Sequence, residues 1–128
     1  MGTVDQGFVP APPDAVYPRL ADLERYGEWW PRSRARRDDG SFVLRLPGAS
    51  PARASVRGAR PGIGLIVRLD GARFGGSLEW YLEPFKDGTV VNAILDLDSP
   101  GRRRTMRVRR GIRAALVELR RLGRTEAG

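Results

Sequence analysis

The sequence predicts an α+β domain in which a curved antiparallel sheet of about seven strands closes around one long C-terminal helix. Three observations carry this prediction. Between Ser33 and Asp98 the apolar residues recur with a period of two; beyond Ser99 they recur at helical spacing; and the strand-like runs are divided by turn dipeptides. Alternation leaves one apolar sheet face and helical spacing leaves one apolar stripe. Each can leave water only against the other.

Val4 to Pro10 carries Phe8 and Val9 and reads as an opening strand halted by Pro10-Ala11-Pro12-Pro13. Pro13 suits the first turn of a helix, where a missing N–H costs nothing. Val16, Leu20 and Leu23 follow at helical spacing, and Pro18 is expected to kink or shorten that helix. Asp22 is the expected N-cap of a second short helix through Tyr26, with Gly27 as its stop. Trp29-Trp30-Pro31 then supplies two aromatic anchors and a breaker.

Four strands read directly from alternation: Phe42-Leu44-Leu46, Leu65-Val67-Leu69, Leu78-Trp80-Leu82, and the run from Thr89 through Val91, Ala93 and Leu95 to Leu97. Ser33–Asp38 and Arg53–Arg57 are strands by their place in the meander. Asp39-Gly40, Pro47-Gly48, Pro61-Gly62, Gly75-Gly76 and Asp87-Gly88 mark the turns. In the closing helix Val108, Ile112, Ala115, Leu119 and Leu122 are spaced four, three, four and three, with Leu116 beside them and arginines such as Arg107, Arg113 and Arg121 opposite. Ser99-Pro100 offers its cap and first turn, and Gly123 its stop. The resulting order is strand, two short helices, six strands and a long helix.

A chain of 128 residues without a linker, repeat or low-complexity segment is read as a single domain, 1–128. The absence of Cys removes disulfides, thiolate nucleophiles and zinc–thiolate sites; the absence of His removes the commonest metal ligand and general base. No secretory signal is visible in MGTVDQGFVPAPP, and no apolar run reaches the ~20 residues that span a bilayer, so a cytoplasmic protein is expected. The net charge of +8 invites an anionic partner. Lys86 is the only lysine, however, and an excess of Arg, Ala, Gly and Pro is what a GC-rich genome yields without selection for phosphate contacts. A nucleic-acid partner for the basic surface therefore ranks below the bland reading.

Two runs resemble a known family. Phe8-Val9-Pro10-Ala11-Pro12-Pro13-Asp14-Ala15-Val16, continued by Leu20-Ala21-Asp22-Leu23-Glu24-Arg25-Tyr26-Gly27-Glu28-Trp29-Trp30-Pro31, is similar to the opening of the START-like (Bet v 1-like, SRPBCC) superfamily. It is nearest to the bacterial polyketide cyclase/dehydrase and lipid-transport group. Trp80-Tyr81-Leu82-Glu83-Pro84 with Asp87-Gly88-Thr89-Val90-Val91 resembles the penultimate hairpin of that group. The likeness spans essentially the whole chain. It implies the helix-grip fold and a pocket for a hydrophobic ligand between sheet and long helix. The chain departs from the better-known members in its Arg-rich Ser33–Asp38 and in Pro18.

The candidate pocket wall follows from the alternation: Leu44, Val67, Leu78, Trp80, Leu82, Val91, Ala93 and Leu95 from the sheet face, and Val108, Ile112 and Leu116 from the helix. Trp29 and Trp30 either line a portal or seal the short helices to the sheet. Arg34 or Arg36, Thr89 and Arg104 are the inward polar candidates; a lone Arg can hold an acid head group but is a poor base. Asp96 and Asp98, near Asp70, are read as solvent-facing acids and not as a cation site. Tyr81, Glu79 and Glu83 are read as solvated. No catalytic set, metal ligand set, cofactor fingerprint or phosphate loop is found.

The leading functional expectation is binding or carriage of a small hydrophobic molecule, lipid- or polyketide-like. The alternatives are a polyketide cyclase or dehydratase, and an interaction protein whose Arg-rich helix meets RNA, the ribosome or an anionic surface. The sequence does not set the oligomeric state.

Overall fold

The computed structural model describes residues 2–99 and 101–127, without the side chains of 126 and 127. Strand β1 (Thr3–Val9) leads to helix α1 (Pro13–Ala21), a 3₁₀ turn (Leu23–Arg25) and helix α2 (Tyr26–Trp29). Six strands follow, β2 (Arg34–Asp38), β3 (Ser41–Arg45), β4 (Ala52–Arg60), β5 (Gly64–Asp70), β6 (Gly76–Phe85) and β7 (Gly88–Leu97), then helix α3 (Arg102–Ala127). The seven strands form one antiparallel sheet in the order β1-β7-β6-β5-β4-β3-β2, so β1 closes the meander on the far side of β7. This is the α+β helix-grip arrangement that the residue pattern predicts.

Local chemistry explains the β2–β3 turn and the bend of β4. Asp39 and Gly40 both have positive φ, 50° and 78°, which a two-residue hairpin loop requires. The register then pairs Asp38 with Ser41 and, four residues further, Arg34 with Arg45. Between β4 and β5 the register shifts between Arg57 and Arg60, around Gly58 at φ 56°. Such a bulge bends the strand and sharpens the curl of the sheet.

Curvature and alternation place one row of side chains against α3. Leu65 pairs with Trp80, Trp80 with Ala93 and Ala93 with Asp5, so a large ring stands beside a small methyl across the middle of the concave face. Helix α3 lays Val108, Ile112, Ala115, Leu116 and Leu119 onto this face, all buried. The opposite side of the sheet carries Glu79, Tyr81 and Glu83, of which Tyr81 and Glu83 are exposed.

Three expectations at helix ends are corrected. Gly123 does not stop α3, which runs on to Ala127. A Cβ there would lie 2.6 Å from Val9 Cγ1, so the residue is Gly because β1 passes too close for any side chain. Gly27 lies inside α2 and serves a similar close approach, since its Cβ would sit 3.1 Å from the Ser33 carbonyl oxygen. Asp22 precedes the 3₁₀ turn but makes no side-chain cap; only its carbonyl oxygen accepts, from Arg25 N–H. Helix α1 continues through Pro18 for three residues before ending. Helix α3 begins at Arg102, with Thr105 N–H bonded to the Gly101 carbonyl; Pro100 of the expected cap lies outside the described residues.

One acid on the concave face ties sheet to helix. The Asp5 side chain is 8% exposed and accepts hydrogen bonds from Arg109 (3.0 and 3.2 Å) and Arg113 (3.0 Å) of α3. Burial pushes its carboxyl up, but the bonds and charges of the two guanidinium groups outweigh burial and hold it below the ordinary carboxylate range. A lowered folded-state pKa contributes stability that is fully present above the unfolded value of about 4 and is lost as pH falls through the folded one.

Two predictions follow from this packing. Leu119→Ala should cost ~2–5 kcal/mol in denaturant unfolding, whereas outward Arg121→Ala, which loses an exposed pair with Glu118, should stay within about 1 kcal/mol. Asp5→Asn should lower stability at neutral pH, and the gap to the wild type should begin to narrow as pH falls below about 4, closing as pH falls through the lowered folded-state value. A gap that is constant from pH 7 to pH 3 on acid titration would exclude the ion-pair account.

Candidate functional site

The expected chamber between sheet and long helix is occupied by its own walls. Leu44, Val67, Leu78, Trp80, Leu82, Val91, Ala93, Leu95, Val108, Ile112 and Leu116 belong to one buried core together with Trp29 and Trp30. The concave face is plugged by an aromatic cluster. Tyr26 lies 5.1 Å from Trp29 between ring centroids, Trp29 lies 5.8 Å from Trp30, and Trp30 meets Trp80 edge-on at 6.0 Å. Both tryptophans of the Trp29-Trp30 pair are buried, at 4% and 0% exposure, and seal the short helices onto the sheet.

Two of the four polar side-chain atoms of this cluster are committed. Trp80 Nε1 donates to Tyr26 Oη at 3.1 Å, and the Tyr26 hydroxyl donates to the Leu20 carbonyl at 2.5 Å. Burial pushes the Tyr26 phenol well above its ordinary pKa, so it stays protonated and serves as a strut between α1, α2 and β6. Thr89, an inward polar candidate, is likewise structural: its hydroxyl donates to the Ala11 carbonyl at 2.7 Å and pins β7 to the segment entering α1. Trp29 Nε1, Trp30 Nε1 and Ser33 Oγ are buried without a protein partner among the described residues.

Open space lies at the rim, where the short helices and the β3–β4 connection meet the β2 edge. A cleft of about 620 Å³ is walled by Gly27, Ser33, Ala35, Val43 and Pro51, with Glu24, Glu28, Arg34, Arg36 and Arg45 around it. Its size suits a small organic ligand. Ser33 is 6% exposed, and its hydroxyl oxygen, without a protein partner among the described residues, is closed off from solvent. The acids here are held. Arg25 donates two bonds to Glu28, 2.8 and 2.9 Å, and these bonds keep that carboxylate below its ordinary pKa; Arg37 reaches Glu24 at 3.3 Å.

A second cleft of about 610 Å³ adjoins the first, sharing Arg34 and Arg45. It lies between the start of α3, the β3–β4 loop and the β5–β6 loop, and Arg104, expected as an inward group, is part of its wall. Arg34 and Arg36, the other two arginine candidates, stand exposed on β2 and line the first cleft. On the far face Arg68 bridges Asp70 (3.2 Å) and Asp98 (2.8 Å), so a guanidinium group stands where a cation was considered.

Sequence reasoning passed over Ser33, Asp5 and the arginines at 32, 45, 73 and 107. For Asp5 a signal existed, since it shares the parity of Val9 on β1 and so faces inward. Arg45 could have been placed by counting back from the Asp39-Gly40 turn. Arg32 and Arg73 sit in loops, where no periodicity places a side chain.

No protein-family profile and no curated protein matches this chain in sequence. Solved structures do match in shape. A START superfamily protein from Mycobacterium smegmatis superposes with a TM-score of 0.78 at 16% identity, over 97% of both chains. DynU16, described as a putative protein in the dynemicin biosynthetic locus, gives 0.72 at 18% identity over 94% of this chain; the match spans 46% of DynU16. CalU16 from Micromonospora echinospora gives 0.63 at 21% identity, over 92% of this chain and 73% of that one. The chain therefore has the START-like fold. Among the described residues no helix is long and apolar enough to cross a membrane.

Proposed function

We propose that the protein binds a small, largely apolar molecule at the rim of the grip and does not transform it. The START-like fold commonly houses hydrophobic ligands, and the observation that carries the reading here is the cleft beneath β2. It pairs apolar walls from Ala35, Val43 and Pro51 with the guanidinium groups of Arg34, Arg36 and Arg45 around it. A guanidinium group there offers hydrogen bonds to the polar end of a ligand. The rest of the ligand gains from apolar contact.

Binding is favoured over cyclase or dehydratase chemistry because the groups that would move protons are engaged elsewhere. Tyr26 is locked between Trp80 and Leu20, and Glu28 is held ionised by Arg25. General acid–base catalysis needs a free group poised near the working pH. The rim is favoured over a chamber among Leu78, Trp80, Ala93 and Ile112 because a ligand there must displace packed side chains.

An environment-sensitive apolar dye should bind the folded protein saturably with one-to-one stoichiometry. Val43→Trp, which fills the rim cleft, should weaken the dye by about tenfold, the ~1.4 kcal/mol of a modest lost apolar contact. Ala93→Phe should instead cost ~1–3 kcal/mol of stability by overpacking and leave dye affinity of the folded protein unchanged. The opposite pattern, binding lost in Ala93→Phe and kept in Val43→Trp, would place the ligand between sheet and α3.

A further inference from the structure

We infer that the second cleft is a binding site for a phosphoryl group carrying two or more negative charges. This inference stands apart from the apolar-ligand reading, since the group it names has no apolar part. Six arginines wall the cleft, Arg32, Arg34, Arg45, Arg73, Arg104 and Arg107, and the remaining wall, Leu46 to Ser50, contributes no acid. They come from five separate places in the chain: the α2–β2 connection, β2, β3, the β5–β6 loop and the start of α3. Convergence of like charge from so many elements is not a consequence of one basic stretch of sequence.

The fold holds like charges together in this arrangement. Arg34 and Arg45 are directly opposite in the β2–β3 register, and like charges facing each other across a strand pair repel. Among the described residues neither has a carboxylate partner, whereas Arg53, on the neighbouring strand, reaches Asp38. Arg32, at φ 63°, is the third residue of a turn that Pro31 opens and that closes with Ser33 N–H on the Trp30 carbonyl, the position at which a type II turn requires positive φ. Such a turn favours Gly there, and the chain carries an arginine of the cleft wall instead.

The cleft is also pre-formed. Gly48 of the β3–β4 loop, at φ 79°, lies so close to α3 that a Cβ would come within 3.0 Å of Arg107 Cβ. One turn along, a Cβ on Gly111 would lie 2.6 Å from Pro47 Cγ. The loop is thereby seated on the helix, and Arg104 and Arg107 project from its first two turns, where the partial positive charge of the helix start adds to theirs. Guanidinium forks bind phosphate oxygens in pairs, and several around one group match a multiply charged anion better than a single carboxylate. Such a group could be the head of a lipid or part of a free phosphorylated molecule.

Inorganic pyrophosphate titrated into the full chain by calorimetry, at about 0.15 M salt to screen diffuse attraction, tests the site. Saturable one-to-one binding is expected. The double variant Arg104→Ala/Arg107→Ala should weaken it by about tenfold or more, while the charge-matched control Arg57→Ala/Arg60→Ala on exposed β4 should change it less than about twofold. Arg32→Gly supplies a readout that a structural role would not give: the melting temperature should hold or rise as the turn gains the residue it favours, while affinity falls. Vesicles of phosphatidic acid in phosphatidylcholine distinguish the sources. Retention that pyrophosphate competes away assigns a lipid head group; pyrophosphate binding without retention assigns a free molecule. Absence of saturable binding, or equal loss in both double variants, would overturn the site and leave only diffuse charge.

Discussion

Trp80 stands at the centre of the concave sheet face, and the positions of both short helices depend on it. Its ring fits because its cross-strand neighbour on β7 is Ala93, and its indole N–H is satisfied because Tyr26 turns a hydroxyl toward it. Tyr26 in turn holds the Leu20 carbonyl near the end of α1. With Trp29 and Trp30 packed around it, this aromatic group closes one end of the grip, and the apolar stripe of α3 closes the other. The remaining buried charge, Asp5, is answered by two arginines of the same helix. Among the described residues four buried side-chain atoms are left without a protein partner, on Thr3, Trp29, Trp30 and Ser33.

A full interior moves the candidate chemistry outward. Both clefts lie where the short helices, the Arg-rich edge strand and the start of α3 come together, and they share Arg34 and Arg45 as a common wall. One is partly apolar; the other is lined by guanidinium groups. Their adjacency sets a partly apolar wall beside a cationic one, and each cleft stands on its own observations.

The fold was legible because its signals are local. Period-two alternation, turn dipeptides and the spacing from Val108 to Leu122 each act within a dozen residues, and the sheet order follows from a meander. What escaped depends on contacts remote in sequence. Gly123 reads as a helix stop until Val9 is seen against it, and Gly27 reads as a break until Ser33 is. The fullness of the concave face is a sum of volumes from every element, which no one-dimensional pattern contains. Two site features were nevertheless within reach: the parity of Asp5 on β1, and the Arg34–Arg45 pair four steps back from the Asp39-Gly40 turn.

The central claim is that packed side chains fill the space between sheet and α3, and that the two large clefts described lie at the rim. Xenon enters dry apolar voids of modest size and is located directly by its scattering. In a crystal of this protein equilibrated under xenon pressure, the account predicts no xenon among Leu78, Trp80, Ala93 and Ile112, and allows it against Ala35 and Val43. A well-occupied xenon site bounded by Trp80 and the buried face of α3 would contradict it.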